Sequence, residues 1–398
     1  MISKKTRLWI GIPISAVSML VLTFYLMSLP WLASDEKFLI WSSSTIKLNF
    51  RDIPDPADYA FINTSYDLAL IDKYDDFGFP VGKQVITDRS QLSLLMDIMT
   101  IAPTPPKLTL VDIHLIDSTE YDRGLEAAMQ QIPNLILSAH LNDNGQLEEP
   151  VIKGVEYGIS DYVIGNVFDG VYKYQLFHQD SMELTPLKMY EMYTGNEATK
   201  SWYAAIVDNH WMPNNFIIDY KLLQKDIQSL EAGFNPINLG ELLFLPDEDI
   251  HEYVGDKIVV IGDFMENDMH ETLFEETAGP VILVNVFLSI LDGDVYFNVW
   301  FILLLLLVYS YMSYMAFYDG DYLEVKLRKV FGERNILKTL AGFVNYLLIL
   351  TLLSLVTFFV FGIHLNVFYL ALAFNILDKA SHIVNNRLRN GRSFDPEK

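Results

Sequence analysis

Four apolar runs dominate the pattern of hydrophobic and polar positions along the chain. Three of them, 8–29, 297–318 and 340–361, contain no charged residue. Each would form a helix of about 33 Å, long enough to cross the roughly 30 Å hydrocarbon core of a bilayer. The fourth run, 362–377, is shorter and contains the polar side chains His364, Asn366 and Asn375. It is therefore either a fourth span or a re-entrant or interfacial helix.

The distribution of charge favours four spans and sets their orientation. Residues 35–296 carry a net charge of −29 and the remainder +6, which together give the −23 of the whole chain. Four crossings place every basic cluster on one side of the membrane, and the positive-inside rule identifies that side as the cytoplasm. These clusters are Lys4, Lys5 and Arg7; Lys326, Arg328, Lys329, Arg334 and Lys338; and Lys379, Arg387, Arg389 and Arg392.

The same pattern predicts the domain organisation and the location of the protein. A cytoplasmic N-terminus and an anchor, 1–34, precede an extracytoplasmic domain, 35–296. Three helices, 297–378, with a basic cytoplasmic loop at 319–338, lead to a short basic tail, 379–398. The first apolar run is longer than a signal-peptide core, which indicates an uncleaved anchor. We expect a multi-pass protein of the bacterial inner (cytoplasmic) membrane with its large domain in the periplasm.

The acidic domain alternates strand-like and helix-like segments. Buried strands are predicted at 59–67, 108–115, 134–141 and 258–261, with helices between the first three. This order is typical of a parallel sheet with right-handed crossovers. The predicted fold is therefore an α/β extracytoplasmic domain with a mainly parallel sheet, plus four transmembrane α-helices, one N-terminal and three C-terminal. The less regular stretch 145–230 is expected to hold hairpins.

Composition excludes several kinds of chemistry. The chain has no cysteine, so disulfides, thiolate nucleophiles and cysteine-ligated metals are absent. An acidic domain lacks the lysine and arginine that phosphate contacts require, so no nucleic-acid partner is expected. Neither a Gly-x-Ser-x-Gly elbow nor a His-Glu-x-x-His helix is present. We predict no catalytic residue and no cofactor.

Two short motifs are the candidates for a binding site. Asp112 and His114, like Asp268 and His270, are separated by one residue at the end of a predicted strand. Alternate residues of an extended chain share a face, so each pair presents a carboxylate and an imidazole together. Four such ligands suit Zn²⁺ or Mn²⁺. The alternative is that these histidines cap loops or bond to the backbone.

The segment around the last predicted strand resembles a known family. The stretches "NLGELL", "VGDKIVVIGDF" and "DMHETLFEETAGPVILVNVFLSIL" are similar to the type-two CHASE domain, an extracellular sensory domain associated with cyclases and histidine kinases. The matching positions are Gly262, Asp268, Thr272, Gly279 and Asn285.

A second stretch, "DFGFPVGKQVITDRSQLSLLMDIMT" followed by "LTLVDIHL", is similar to the family's aromatic-proline segment, helix and strand ending in Asp; Pro80 and Asp112 carry this match. The chain departs from the family at Ile282 and at 283–285, where many members have a small polar residue and His-Ala-Asn. Residues 145–230 have no counterpart.

The resemblance implies a sensory domain with one pocket at the carboxyl edge of its sheet. The candidate pocket residues are Asp112, His114, Asp263, Asp268, His270, Thr272 and Asn285. Because about 20 residues follow the fourth apolar run, we expect a sensory subunit that acts through a partner protein rather than an enzyme. The expected partners are the lipid bilayer, other membrane or envelope proteins, and a small-molecule or envelope ligand. A structural scaffold subunit and a metal-dependent envelope hydrolase are the alternatives.

Overall fold

The structure is a computed structural model. It describes residues 4–29, 34–74, 77, 79–142, 144–161, 170–178, 182–201, 204–318 and 335–390. The predicted basic loop 319–338 lies largely outside these residues, as does the end of the predicted tail after residue 390.

A seven-stranded sheet forms the centre of the α/β domain, the part of the chain between α1 and the C-terminal apolar helices. Six strands run parallel in the order β15–β1–β16–β4–β5–β7, and β6 pairs antiparallel with the end of β5. The strands are β1 (Tyr59–Asn63), β4 (Leu108–Asp112), β5 (Leu135–Leu141), β6 (Leu147–Glu148), β7 (Glu156–Ile159), β15 (Ile237–Asn238) and β16 (Ile258–Gly262).

The four predicted strands are confirmed; three are shorter than predicted, and β16 extends one residue further, to Gly262. The strand predicted at 59–67 ends at Asn63 because the chain then turns, with the amide of Asp67 donating to the carbonyl of Thr64 over 3.2 Å. The strand predicted at 108–115 ends at Asp112. Every residue of β16 is buried, which is the burial expected of a strand covered by helices on both faces. The mainly parallel α/β prediction is therefore correct.

Helices cover both faces of this sheet. The helices of the α/β domain are α3 (Arg89–Thr100), α4 (Asp122–Met129), α5 (Thr185–Thr194), α6 (Gln224–Gln228), α7 (Leu239–Leu242), α8 (Asp247–Val254) and α9 (Gly279–Leu291); a 3₁₀ turn, Pro56–Asp58, precedes β1.

Alternate residues of each strand enter two different cores. On β1, Ala60 and Ile62 join one core with α3, α4, α7 and α8, whereas Tyr59 and Phe61 join the other with α5 and α9. This division follows from the two-residue period of a strand. In α9, Val281 and the residues after it up to Ile290 are all buried, so α9 is an internal helix rather than a surface one.

Short antiparallel pairs make up the rest of this domain. They include a hairpin of β2 (Leu68–Tyr74) and β3 (Pro80–Thr87), which the sequence analysis did not predict, and small sheets in the stretch where hairpins were predicted. The small sheets comprise β8 (Lys173–Gln175) with β14 (Asn215–Ile217), β9 (Phe177–His178) with β10 (Met182–Glu183), and β11 (Ala198–Lys200), β12 (Ala204–Val207) and β13 (His210–Pro213); β17 (Met269–Glu271) pairs with β18 (Glu276–Ala278).

Three of the described helices are long and apolar enough to cross a membrane. Their apolar portions are Ile10–Met27, Val299–Phe317 and Gly342–Phe361. They belong to α1 (Lys4–Met27), α10 (Val299–Tyr318) and α11 (Asn335–Phe361). The segment predicted as a fourth span begins with a non-helical stretch, 362–366, and the helix α12 (Val367–Asn390) starts only afterwards.

A helix absent from the prediction follows the first span. It is α2 (Ser34–Leu48), within the part of the chain assigned above to the extracytoplasmic domain. Its residues Ile40 and Ser43 are buried, and it packs against α11 and α12. The connection from α1 to the α/β domain therefore includes a helix.

Candidate functional site

The carboxyl ends of three central strands lie in one row. Asn63 of β1 pairs with Gly262 of β16, which pairs with Asp112 of β4. Gly262 is required here because a Cβ atom would lie 2.6 Å from the side chain of Pro280, where α9 begins. This close approach brings the loop after β16 over the strand ends, which is where α/β proteins bind ligands.

Asp112 and Asp268 face each other at this edge. Partial burial and the neighbouring Asp268 carboxylate raise the pKa of Asp112 to about 7. The Asp268 carboxylate lies against Gly279, in space that any larger residue would fill, and the Gly279 amide donates to the Asp268 carbonyl over 2.8 Å. His270 Nε2 lies 2.8 Å from Asp268 Oδ1, so this pair presents a carboxylate and an imidazole together, as predicted.

Two residues that the sequence analysis did not select complete the group. His140, near the end of β5, has its Nδ1 atom 3.9 Å from Asp161 Oδ1. Burial lowers the pKa of His140, but the carboxylates of Asp161 and Asp112 outweigh burial and raise it. We name Asp112, His140, Asp161, Asp268 and His270 the carboxyl-edge cluster. His140 ends a predicted strand beside an acidic segment, which is the signal that could have identified it.

His114 belongs to a neighbouring group, apart from Asp112. Its Nε2 atom lies 3.1 Å from Glu148 Oε2, and its ring meets that of His140 edge to face at 4.8 Å. Burial and the adjacent His140 lower the pKa of His114. The chain leaves the sheet after Asp112, so the two-residue spacing no longer places both side chains on one face.

Asp263 organises the loop after β16. Its carboxylate accepts hydrogen bonds from the Ser65 hydroxyl and from the amides of Met265, Glu266 and Asn267, the amide bonds each being 2.9 Å long. Burial raises the pKa of Asp263, but these donors outweigh burial and lower it. The Asp263 carboxylate is therefore hydrogen-bonded to groups of the protein itself.

Thr272 and Asn285 also have internal partners. Thr272 Oγ1 donates to the Glu275 carbonyl over 2.6 Å. Asn285 is fully buried in α9; its Oδ1 accepts from the Leu222 amide and its Nδ2 donates to the Leu222 carbonyl, both over 2.8 Å. Of the seven predicted pocket residues, the structure thus brings Asp112, Asp268 and His270 together, and places His114, Asp263, Thr272 and Asn285 in other environments.

The described residues of this edge form no metal centre, and a sizeable cleft lies away from it. Among the described residues, no group of three or more histidine, aspartate and glutamate side chains is arranged to hold a metal ion. A cleft of about 590 Å³ opens elsewhere, beside the outer strand β7 and α5. It is lined by Leu147, Gly154, Val155, Glu156, Tyr157, Ile159, Met182, Glu183 and Lys188.

A second polar group joins α2 to the membrane helices. His364 lies between α11 and α12, with Nε2 2.8 Å from Ser43 Oγ of α2 and Nδ1 3.0 Å from Ser354 Oγ of α11. The Leu365 amide donates to Ser354 Oγ over 3.0 Å, and Ser43 Oγ donates to the Leu39 carbonyl over 2.8 Å. Because the Ser43 hydroxyl already donates to Leu39, it accepts the bond from His364, so His364 Nε2 carries the proton. His364 Nδ1 then accepts a hydrogen bond from the Ser354 hydroxyl. We name Ser43, Ser354 and His364 the junction triad.

The end of α2 and the residues after it are bonded to the α/β domain. Lys47 Nζ lies 2.7 Å from Asp219 Oδ2. Arg51 donates two hydrogen bonds to the Asp226 carboxylate, over 2.6 and 2.8 Å. Such a bidentate, largely buried pair holds its two segments in a defined geometry. The segment from Ser43 to Arg51 thus contacts both parts of the molecule.

Comparison with protein-family models, with curated proteins and with solved structures finds no match to this chain. The resemblance to the type-two CHASE domain therefore stays a prediction that depends on the residues quoted above.

Proposed function

We propose that this protein is a sensory subunit of the bacterial inner membrane that acts through a partner protein. A ligand or envelope partner binds the periplasmic domain at the carboxyl-edge cluster and changes how the membrane helices pack. The observation that carries the proposal is the double attachment of α2 and the residues that follow it. Ser43 bonds to His364 between the membrane helices, and Lys47 and Arg51 bond to the periplasmic domain. Any movement of that domain relative to the bilayer acts on this segment.

The proposal includes a fourth membrane crossing by α12. Its Ser381 hydroxyl donates to the Ala316 carbonyl over 2.7 Å, near the end of α10, and Phe374 packs on Tyr309 with ring centroids 5.7 Å apart. A helix that follows α10 in this way over most of its length supports a span. Both ends of the described chain then face the cytoplasm, in agreement with the positive-inside rule.

The cluster supports a ligand site because its charges are only partly compensated. Asp112, Asp161 and Asp268 face two histidines, and the raised pKa of Asp112 reflects carboxylate repulsion together with burial. Perturbed ionisable groups at a strand edge are typical of functional sites. A bound ligand alters the packing of the membrane helices only if it binds the alternative packings with different affinities.

Spin-label distance measurement tests the connection. The chain has no cysteine, so Ile14→Cys with Ile383→Cys, both exposed, provides one label pair on α1 and α12. We expect Asp268→Asn, which removes a charge from the cluster, to shift the distance distribution. We expect Ser43→Ala to abolish that shift, whereas Ser18→Ala, whose hydroxyl bonds within α1, preserves it. An unchanged distribution in Asp268→Asn would contradict the sensory proposal.

One observation favours a scaffold as the second candidate. The β2–β3 hairpin pairs with no other described strand and exposes Leu70, Val81 and Val85, an apolar surface of the kind that protein partners cover. Purification in mild detergent followed by mass spectrometry separates the candidates. A stoichiometric partner with a signalling domain supports the sensor. Large envelope machinery supports the scaffold.

A further inference from the structure

We propose that α2 is an interfacial helix whose exposed face is embedded in the outer leaflet of the lipid bilayer. This inference goes beyond the sensory proposal and does not depend on it. It requires that α1, α10 and α11 cross the membrane with the α/β domain outside the cytoplasm.

The contacts of α2 place it beside the ends of the membrane-spanning helices α1 and α11. Its buried Ile40 lines one small cavity with Met27, at the end of α1, and Ile363, just after α11. The Asn215 side chain of β14 donates to the Ser28 carbonyl over 2.8 Å at the same level. The helix therefore lies at the boundary between the bundle and the periplasmic domain.

The orientation of α2 follows from contacts along its length. Lys37, near its beginning, lies with Nζ 5.7 Å from the ring centre of Tyr172, and Lys47, near its end, bonds to Asp219. Both partners belong to the periplasmic domain. A helix that touches the base of that domain at both ends extends along the boundary, parallel to the membrane surface.

The outward face of α2 is apolar and aromatic. Phe38 is 70% exposed, Trp41 47% and Ile46 52%, and the rings of Phe38 and Trp41 lie 6.2 Å apart. Aromatic residues, tryptophan above all, are enriched at the membrane–water interface. An amphipathic helix with such a face lies in the plane of the interface with its apolar side among the acyl chains.

The hydroxyl groups on this face are compatible with an apolar environment. Ser42 donates to the Leu39 carbonyl over 3.0 Å, and Thr45 donates to the Trp41 carbonyl over 2.7 Å. Hydroxyls that bond back to their own helix need no solvent partner, which is the requirement in an apolar phase.

The outward face also continues the apolar surface of the spans. Phe359 and Val360, at the end of α11, and Phe368, at the start of α12, are exposed. These residues flank His364, the residue that Ser43 of α2 contacts. The exposed surface of α2 thus adjoins surface that the hydrocarbon of the bilayer covers, and this continuity assigns lipid as the occupant.

Site-directed spin labelling tests the assignment on the full chain. Because the chain lacks cysteine, Phe38→Cys and Trp41→Cys each give a single labelled site. Thr45→Cys gives a third site without removing a large side chain. The water control is Phe244→Cys, a 90% exposed aromatic position in the periplasmic domain, and the lipid control is Leu307→Cys on α10. Each protein is reconstituted in vesicles of phosphatidylethanolamine and phosphatidylglycerol.

The readout is the accessibility of each nitroxide to oxygen, which partitions into lipid, relative to a water-soluble nickel complex. We expect the ratio at positions 38, 41 and 45 to be several-fold higher than at 244 and lower than at 307. A ratio equal to that at 244 means that α2 faces water and overturns the proposal. Low accessibility to both reagents means that protein covers this face, and also overturns it.

Discussion

The polar groups of the carboxyl-edge cluster are paired differently from those of the junction, by which we mean the junction triad together with the Arg51–Asp226 pair. In the cluster, carboxylates face one another, and the pKa of Asp112 is raised to about 7. At the junction, His364 has a hydroxyl partner for each ring nitrogen, and the Arg51–Asp226 pair is bidentate and largely buried. Ionisable groups that remain partly uncompensated are available to a ligand. Groups whose partners are complete hold segments together, so the second region is expected to dominate stability.

The largest effect is expected at the Arg51–Asp226 pair. Arg51→Met leaves the buried Asp226 carboxylate without its charged partner, and breaking such a pair costs on the order of 3 kcal/mol in the free energy of unfolding. Denaturant unfolding of the purified chain measures this loss in the free energy of unfolding. Lys83→Met, which breaks the exposed pair with Asp72, is the matched control and should cost only a few tenths of a kcal/mol. Equal losses in the two variants would show that burial of the Arg51 pair contributes nothing.

The junction triad is expected to give the next largest effect. Ser354→Ala removes the hydroxyl that accepts from the Leu365 amide and bonds His364 Nδ1, which leaves two buried polar groups without this partner. The expected loss is about 1–3 kcal/mol in the free energy of unfolding. Unfolding in mixed micelles measures the loss. Ser18→Ala, at an exposed site on α1, is the control. A loss no larger than that of Ser18→Ala would mean that the triad is not a structural connection.

The cluster is expected to respond to pH with a particular sign. Because the folded-state pKa of Asp112 lies above its unfolded value, its contribution to stability is retained at low pH and lost as pH rises towards and beyond 7. Asp112→Asn should therefore be about 1 kcal/mol more stable than the parent at pH 8, with the gain fading as pH falls from about 7 to about 4.

Asp263→Asn is the control of opposite sign. The folded-state pKa of Asp263 is lowered, so its contribution is present at neutral pH and lost as pH falls through that pKa. The variant should be less stable than the parent at pH 7. If both variants shift stability in the same direction at pH 8, the contrast between the two carboxylates is wrong.

The smallest effect on stability is expected at His270. Its partner Asp268 is 38% exposed, and ion pairs of this kind contribute less than about 1 kcal/mol. His270→Gln should change the free energy of unfolding by a few tenths of a kcal/mol, as should His114→Gln at the neighbouring group. Thermal unfolding of both variants measures the change. A loss as large as that of Ser354→Ala would make the cluster a structural element and remove the contrast with the junction.

The sheet was predictable because its strands are short apolar runs bounded by clear turn signals. Ile258 to Ile261 are all buried, and Asp88 caps α3 through the amides of Ser90 and Gln91. The β2–β3 hairpin was missed because its exposed apolar residues, such as Leu70 and Val85, do not alternate with polar ones as in a half-buried strand. The helix α2 was missed because its polar residues, such as Ser43, have their partners elsewhere in the chain.

The candidate site was predictable only in part, for a similar reason. Asp268 and His270 lie together because only Met269 separates them at the start of β17, a local relation. Asp112 and His114 have the same spacing, but β4 ends between them and they separate. His140 and Asp161 join the group through pairing of β5 with its neighbours, which no local pattern contains.

The amino-acid sequence by itself determined the apolar spans, the buried strands and their parallel arrangement, because each depends on periodicity and on burial of apolar surface over a short stretch. Only the tertiary structure decided which polar groups meet. Ser43 and His364 lie 321 positions apart, and Arg51 and Asp226 lie 175 apart. Partners at such separations are set by the packing of whole elements. The sequence alone does not distinguish a polar side chain that bonds to water from one that bonds to a ligand or to another part of the chain.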